Sequence, residues 1–207
     1  MTGLKSCSIF VNGEMKKTLL INHSREKLLN ALVYFSKNTR FCGKTKLFKL
    51  LYFLDFIHFR ETGRSITGLN YYAWDKGPVP QDLFHELKQP DKDLKETIAL
   101  LEQSEDEDYK LCKIIAKKSF DPKYFSRREK KIMEDLSFVF KDAFAKDMVE
   151  ITHLSGTPWD KTIKEKGPGK QIDYSLAVDG SKGSLSLEEI KERMSEIREV
   201  SEIFEGK

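Results

Sequence analysis

Between Lys44 and Glu61 the chain sets Leu47, Phe48, Leu50, Leu51, Tyr52, Phe53, Leu54, Phe56, Ile57 and Phe59 around nearly the whole circumference of a helix. A helix that is apolar on every side cannot lie on a surface and has to be surrounded by other elements. This segment is therefore read as a central core helix, with the remaining elements arranged about it. Lys49, Asp55 and His58 interrupt the apolar run, which is too short and too charged to span a bilayer. Gly63 follows as the left-handed stop that a helix C-terminus favours.

The flanking sequence supplies that shell. Ser24 stands where it can cap a helix carrying Leu28, Leu29, Leu32, Val33 and Phe35, which ends near Lys37 and Asn38. Ser65 to Trp74 is rich in β-favouring residues and reads as a short extended segment. Gly77-Pro78-Val79-Pro80 is expected to break regular structure, with Pro80 opening a helix over Gln81 to Lys88. Asp91 to Leu101 reads as an amphipathic helix, Glu102 to Asp108 as an acidic surface loop, and Leu111 to Ala116 as a strand. Ser126 with Glu129, and Ser186 with Glu189, are capping boxes that each start a helix. Between them lie a helix over Lys146 to Leu154, closed by Gly156, and a turn or helix begun by Pro158.

The expected fold is mainly α with a minor β component: a compact helical domain around one buried helix, with short strands near residues 65–75 and 110–116. A chain of 207 residues suits one core. Residues 1–22 form either a hairpin about the Asn12-Gly13 turn or an extension ahead of Met15, residues 23–175 the main domain, and residues 176–207 a helical extension of it.

Composition narrows the function. The 36 basic residues exceed the 33 acidic ones by only three, too little for the strong basic field of a dedicated nucleic-acid binder. Cys7, Cys42 and Cys112 are odd in number and widely spaced, which suits a reducing cytoplasm and neither a disulfide framework nor a zinc ribbon. Secretion and membrane insertion are not expected.

Few constellations point to chemistry. Gly43-Lys44-Thr45 resembles the end of a phosphate-binding loop, but Asn38 stands where the leading glycine belongs, so Lys44 and Lys46 are expected to be solvated at a helix start. No histidine pair has metal-ligand spacing, and no metal or other cofactor is expected. His58, three residues after Asp55, would form a buried hydrogen-bonded pair with it. Cys42 has no histidine spaced to activate it. Lys123, Arg127, Arg128, Lys130 and Lys131 cluster about Glu129, either to touch phosphates or an acidic partner or as a solvated helix start. A helix-turn-helix over residues 24–59 would recognise DNA, although its second helix is too apolar to read base edges. Trp74 and Trp159 either pack internally or anchor an interface.

The helix Lys46-Leu-Phe-Lys-Leu-Leu-Tyr-Phe53, then Gly63, then Ala73-Trp74-Asp75-Lys76-Gly77-Pro78-Val79-Pro80, then His153 and Pro158-Trp159, resemble the Panacea domain of SocA-like antitoxins in order and spacing. The likeness covers about residues 24–175. It implies a mostly helical, non-enzymatic domain of prokaryotic and phage toxin–antitoxin pairs, whose partner is a cognate toxin and, if it acts as an adaptor, a protease complex. In that reading Trp74, Gly77, Pro78, Val79 and Pro80 meet the toxin. Tyr52, Asp55, His58, His153 and Trp159 support them. DNA-binding regulation is the alternative.

Overall fold

The computed structural model describes residues 10–11, 14–15, 24–104, 110–181 and 183–205. Phe10–Val11 (β1) and Glu14–Met15 (β2) pair antiparallel; the rest of the hairpin expected there, the Asn12-Gly13 turn included, lies outside the described residues. The architecture is mainly α, with eight α-helices among the described residues and small antiparallel two-stranded sheets.

Arg25–Asn38 (α1) starts at Ser24, whose side chain makes no capping bond, contrary to expectation. The first turn is held instead by Arg25, which donates from Nε to Asp93 at 2.7 Å and from a guanidinium nitrogen to Glu86 at 2.8 Å. Lys44–Thr62 (α2) is enclosed as its composition demands: Leu47, Leu50, Leu51 and Leu54 are wholly buried, and Tyr52, Phe56 and Phe59 nearly so. Each large apolar side chain buried in this way contributes about 1.5–3 kcal/mol. Gly63 closes α2 in the left-handed conformation, its N–H donating to Phe59 O at 2.7 Å.

Tyr71–Trp74 (β3) is the strand expected near residues 65–75. Gly77–Pro80, expected to be irregular, is a second strand (β4) paired with it through a two-residue turn at Asp75-Lys76. Proline is tolerated in an edge strand where no ladder donor is required. Pro78 and Pro80 stand opposite Ala73 and Tyr71, and those two residues turn their own backbone groups the other way. Ala73 N–H donates to Lys170 O at 2.8 Å, and Tyr71 O accepts from Ile172 N–H at 2.8 Å.

Gln81–Glu86 (α3) and Lys92–Thr97 (α4) follow. The helix expected to run to Leu101 stops at Thr97, and Ile98–Ser104 (β5) pairs with Lys110–Ala116 (β6), drawing Glu102 out of the expected loop into a ladder. The choice of strand is tertiary: Ile98 and Ile114 reach the core while Leu101 and Ile115 face out. Arg127–Val139 (α5) begins at the Ser126–Glu129 capping box. Ala145–Thr152 (α6) and Pro158–Lys166 (α7) come next, and the second capping box opens Leu187–Glu205 (α8).

Asp55 ties α2 to the chain that leads into β3. Its fully buried carboxylate accepts from Ile66 N–H at 2.8 Å, Thr67 N–H at 2.7 Å, the Thr67 hydroxyl and the Tyr71 hydroxyl at 2.7 Å. Burial pushes its pKa up and the four donors oppose that shift. The expected pairing with His58 does not form. His58 Nδ1 faces Arg64 O at 2.7 Å and Thr62 Oγ1 at 3.2 Å, because the helix exit offers a closer partner than a carboxylate already saturated with donors. Asp55→Ala leaves those donors without an acceptor, and chemical denaturation should show a loss of about 3 kcal/mol or more.

Candidate functional site

Lysine is the residue that the apolar run of α2 least accommodates, and two lysines lie inside. Lys46, expected in solvent, is fully buried, because the turns on either side bring carbonyls to it: Arg40 O and Ala143 O at 2.7 Å and Lys141 O at 3.2 Å accept from its ammonium. Lys49, one turn further on, is 1% exposed and donates to Pro78 O at 2.8 Å. No carboxylate perturbs it, and burial alone lowers its pKa to about 7. A β-carbon at Gly77, where φ is +89°, would stand 2.6 Å from Thr152 Oγ1 and 2.8 Å from Lys49 Nζ. Gly77 is thus required both for its backbone conformation and for the close approach of α2 and α6.

On the outer side of this contact the aromatic residues meet. The half-buried Trp74 ring stands edge-on to Phe84 at 4.9 Å, and its carbonyl accepts from Trp159 Nε1–H at 3.0 Å. Trp159 stacks on His153 with ring centres 3.9 Å apart and planes 9° from parallel. Desolvation lowers the His153 pKa and the nearby Lys49 adds to that shift. Tyr52 lies buried behind the stack; its hydroxyl, near the Trp159 backbone, makes no well-formed hydrogen bond, and burial raises its pKa.

Of the residues singled out from sequence, Trp74, Gly77, Pro78, His153 and Trp159 therefore converge, with Tyr52 behind them. Val79 and Pro80 continue β4 toward α3. Gly77, Pro78, Val79 and Pro80 are all buried, whereas Asp75 and Lys76 at the turn are exposed. Asp55 reaches the hairpin only through Tyr71, and His58 lies at the far end of α2. Sequence reasoning passed over Lys49, Thr152 and Phe84; a lysine in the middle of an otherwise enclosed helix was the available signal for the first.

Burial pushes the Cys42 thiol up, away from the reactive thiolate. Among the described residues no cluster of three or more histidine, cysteine, aspartate or glutamate side chains could hold a metal ion, and no helix is long and apolar enough to cross a membrane. In the basic cluster, Lys123 pairs with Asp121 at 2.8 Å, while Glu129 is buried and bonded to Lys27 and to Ser126 N–H.

The model of the family "Antitoxin SocA-like, Panacea domain" matches residues 47–160, more than half of the chain, from the buried face of α2 through β3, β4 and α6 to Trp159. The chain belongs to this family. The matched span of the Panacea domain contains all the residues that converge at the hairpin, and family membership gives the chain an antitoxin role in general terms, with a toxin as the partner class. No curated protein and no solved structure matches it.

The buried lysine has a measurable consequence. Its pKa rises from about 7 when folded to its ordinary value of 10.5 when unfolded, so the unfolded chain holds more protons across that interval and stability from this group rises with pH. Wild-type stability relative to Lys49→Met should increase between pH 7 and 9 in denaturant titrations; parallel profiles would contradict the burial of an unpaired ammonium. Gly77→Ala should cost well over about 1 kcal/mol, since both φ and space oppose it.

Proposed function

We propose that this Panacea-domain protein neutralises a cognate toxin by direct contact in the cytoplasm, using the face built around the β3–β4 hairpin, and catalyses no reaction of its own. The family match carries this reading. The geometry suits it. Trp74 and Phe84 offer partly exposed aromatic surface beside the exposed Asp75 and Lys76, the combination of apolar anchor and charged rim found at binding hot spots. Gly77, Pro78, Val79 and Pro80 act from behind, giving the turn a fixed shape, and the stack of His153 on Trp159 holds the Trp74 backbone through one hydrogen bond. Pre-shaping the face lowers the entropy lost on association.

Binding can end in inhibition of the toxin or in its delivery to a protease complex; the proposed surface serves either. DNA recognition through α2 is not favoured, because that helix is enclosed and presents no polar face to a groove.

Co-expression with the protein encoded beside it tests the proposal. The wild type should relieve toxicity and co-purify with that protein. Trp74→Ala and Pro78→Ala, each confirmed as folded by circular dichroism, should weaken the complex about tenfold or more. Undiminished binding by both variants removes the hairpin from the interface.

A further inference from the structure

At the other end of α6 from His153 lies a surface with a different construction. Phe41, Phe138, Val139 and Phe144 are 51%, 84%, 66% and 56% exposed. Single exposed apolar residues are ordinary, but these lie on two segments fastened to each other. Arg40 N–H donates to Lys141 O at 2.8 Å, and the buried Lys46 ammonium holds the carbonyls of Arg40, Lys141 and Ala143. The Phe41 and Phe144 rings stack across this junction with centres 4.6 Å apart. Phe138 and Val139 enter the same turn, where Lys141 N–H approaches Phe138 O at 3.5 Å. Phe41 has φ +52°, the sole positive φ at a non-glycine residue among those described. An aromatic residue held in that strained region and left half in solvent is the pattern of a functional surface, where surrounding structure enforces a conformation that local energetics oppose.

The surrounding charges indicate what covers it. Asp142 pairs with Arg40 at 3.1 Å, Asp135 with Lys131 at 2.6 Å and Glu150 with Lys146 at 3.8 Å, while Asp147 accepts from Phe144 N–H at 2.7 Å. Lys37, Lys44 and Lys141 have no ion pair among the described residues, against two such carboxylates, Glu134 and Asp147. The cations left over favour a partner that brings carboxylates of its own.

We propose that the patch of Phe41, Phe138, Val139 and Phe144 is a second docking surface, separate from the hairpin face, for a protein segment that carries apolar and acidic side chains together. The apolar groups of the segment cover the exposed rings and its carboxylates meet Lys37, Lys44 and Lys141. This surface does not depend on the identity of the toxin or on Trp74.

The probes are two fluorescent synthetic peptides, one with leucine and phenylalanine on one helical face and glutamate elsewhere, the other with lysine in place of each glutamate. Fluorescence anisotropy with the full chain should show binding of the acidic peptide, weakened by salt, and much weaker binding of the basic one. Phe144→Ser and Lys141→Glu should each reduce affinity about tenfold or more, whereas Trp74→Ala should leave it unchanged. Phe138 is the most exposed of the four, so Phe138→Ser is the variant safest for folding and should act in the same direction. Equal binding of both peptides, no binding of either, or loss only with Trp74→Ala overturns the proposal. So does a dimer in sedimentation that Phe138→Ser dissociates, which would assign the patch to a second copy.

Discussion

Two lysines inside a helix enclosed on all sides set the terms for the rest of this domain. A buried lysine amine must have acceptors, and neither Lys46 nor Lys49 forms an ion pair among the described residues; both donate to backbone carbonyls. Each therefore draws a loop to α2. Lys46 holds the turn before α2 against the turn after α5, and Lys49 holds β4 through Pro78. The two surfaces with exposed aromatic residues stand over these two anchors, one turn apart on the same helix.

Asp55 completes the arrangement as an acceptor where the lysines are donors. Its four donors fix the chain from Ile66 to Tyr71, and from there β3 can run only along the path where Pro78 and Pro80 lack nothing by lacking an N–H. The Trp74 turn is thus held from α2 at both strands, by the buried Asp55 carboxyl group on one side and the buried Lys49 amine on the other. A face shaped by buried polar contacts of this kind resists deformation, because moving either strand leaves a buried polar group without partners. Such rigidity suits the toxin-binding role proposed for this face.

Much of this was legible in order. The all-round apolar pattern marked α2, Gly63 its end, and the Ser126 and Ser186 boxes the starts of α5 and α8, since each is a local rule satisfied within one or two turns of chain. The failures share a cause. Thr97 ends a helix because β6 offers a partner to Ile98 and the residues after it; Gly77–Pro80 becomes a strand because β3 accepts it; His58 turns from Asp55 because Thr67 and Tyr71 occupy the carboxylate. Of the residues expected at the interface, Trp74 is partly exposed and the four after the turn are interior, a division that no periodicity over four residues containing two prolines conveys.

The sequence by itself determined that one helix would be enclosed, that the chain would be mainly α, and that its motifs are those of the Panacea domain, because burial pattern, capping and motif spacing are properties of neighbouring residues. Only the tertiary structure decided where the buried charges of Lys46, Lys49 and Asp55 would be satisfied, and hence which turns are pinned and which aromatic rings remain outside. The partners of a buried charge come from distant parts of the chain, and their meeting is set by the packing of the whole.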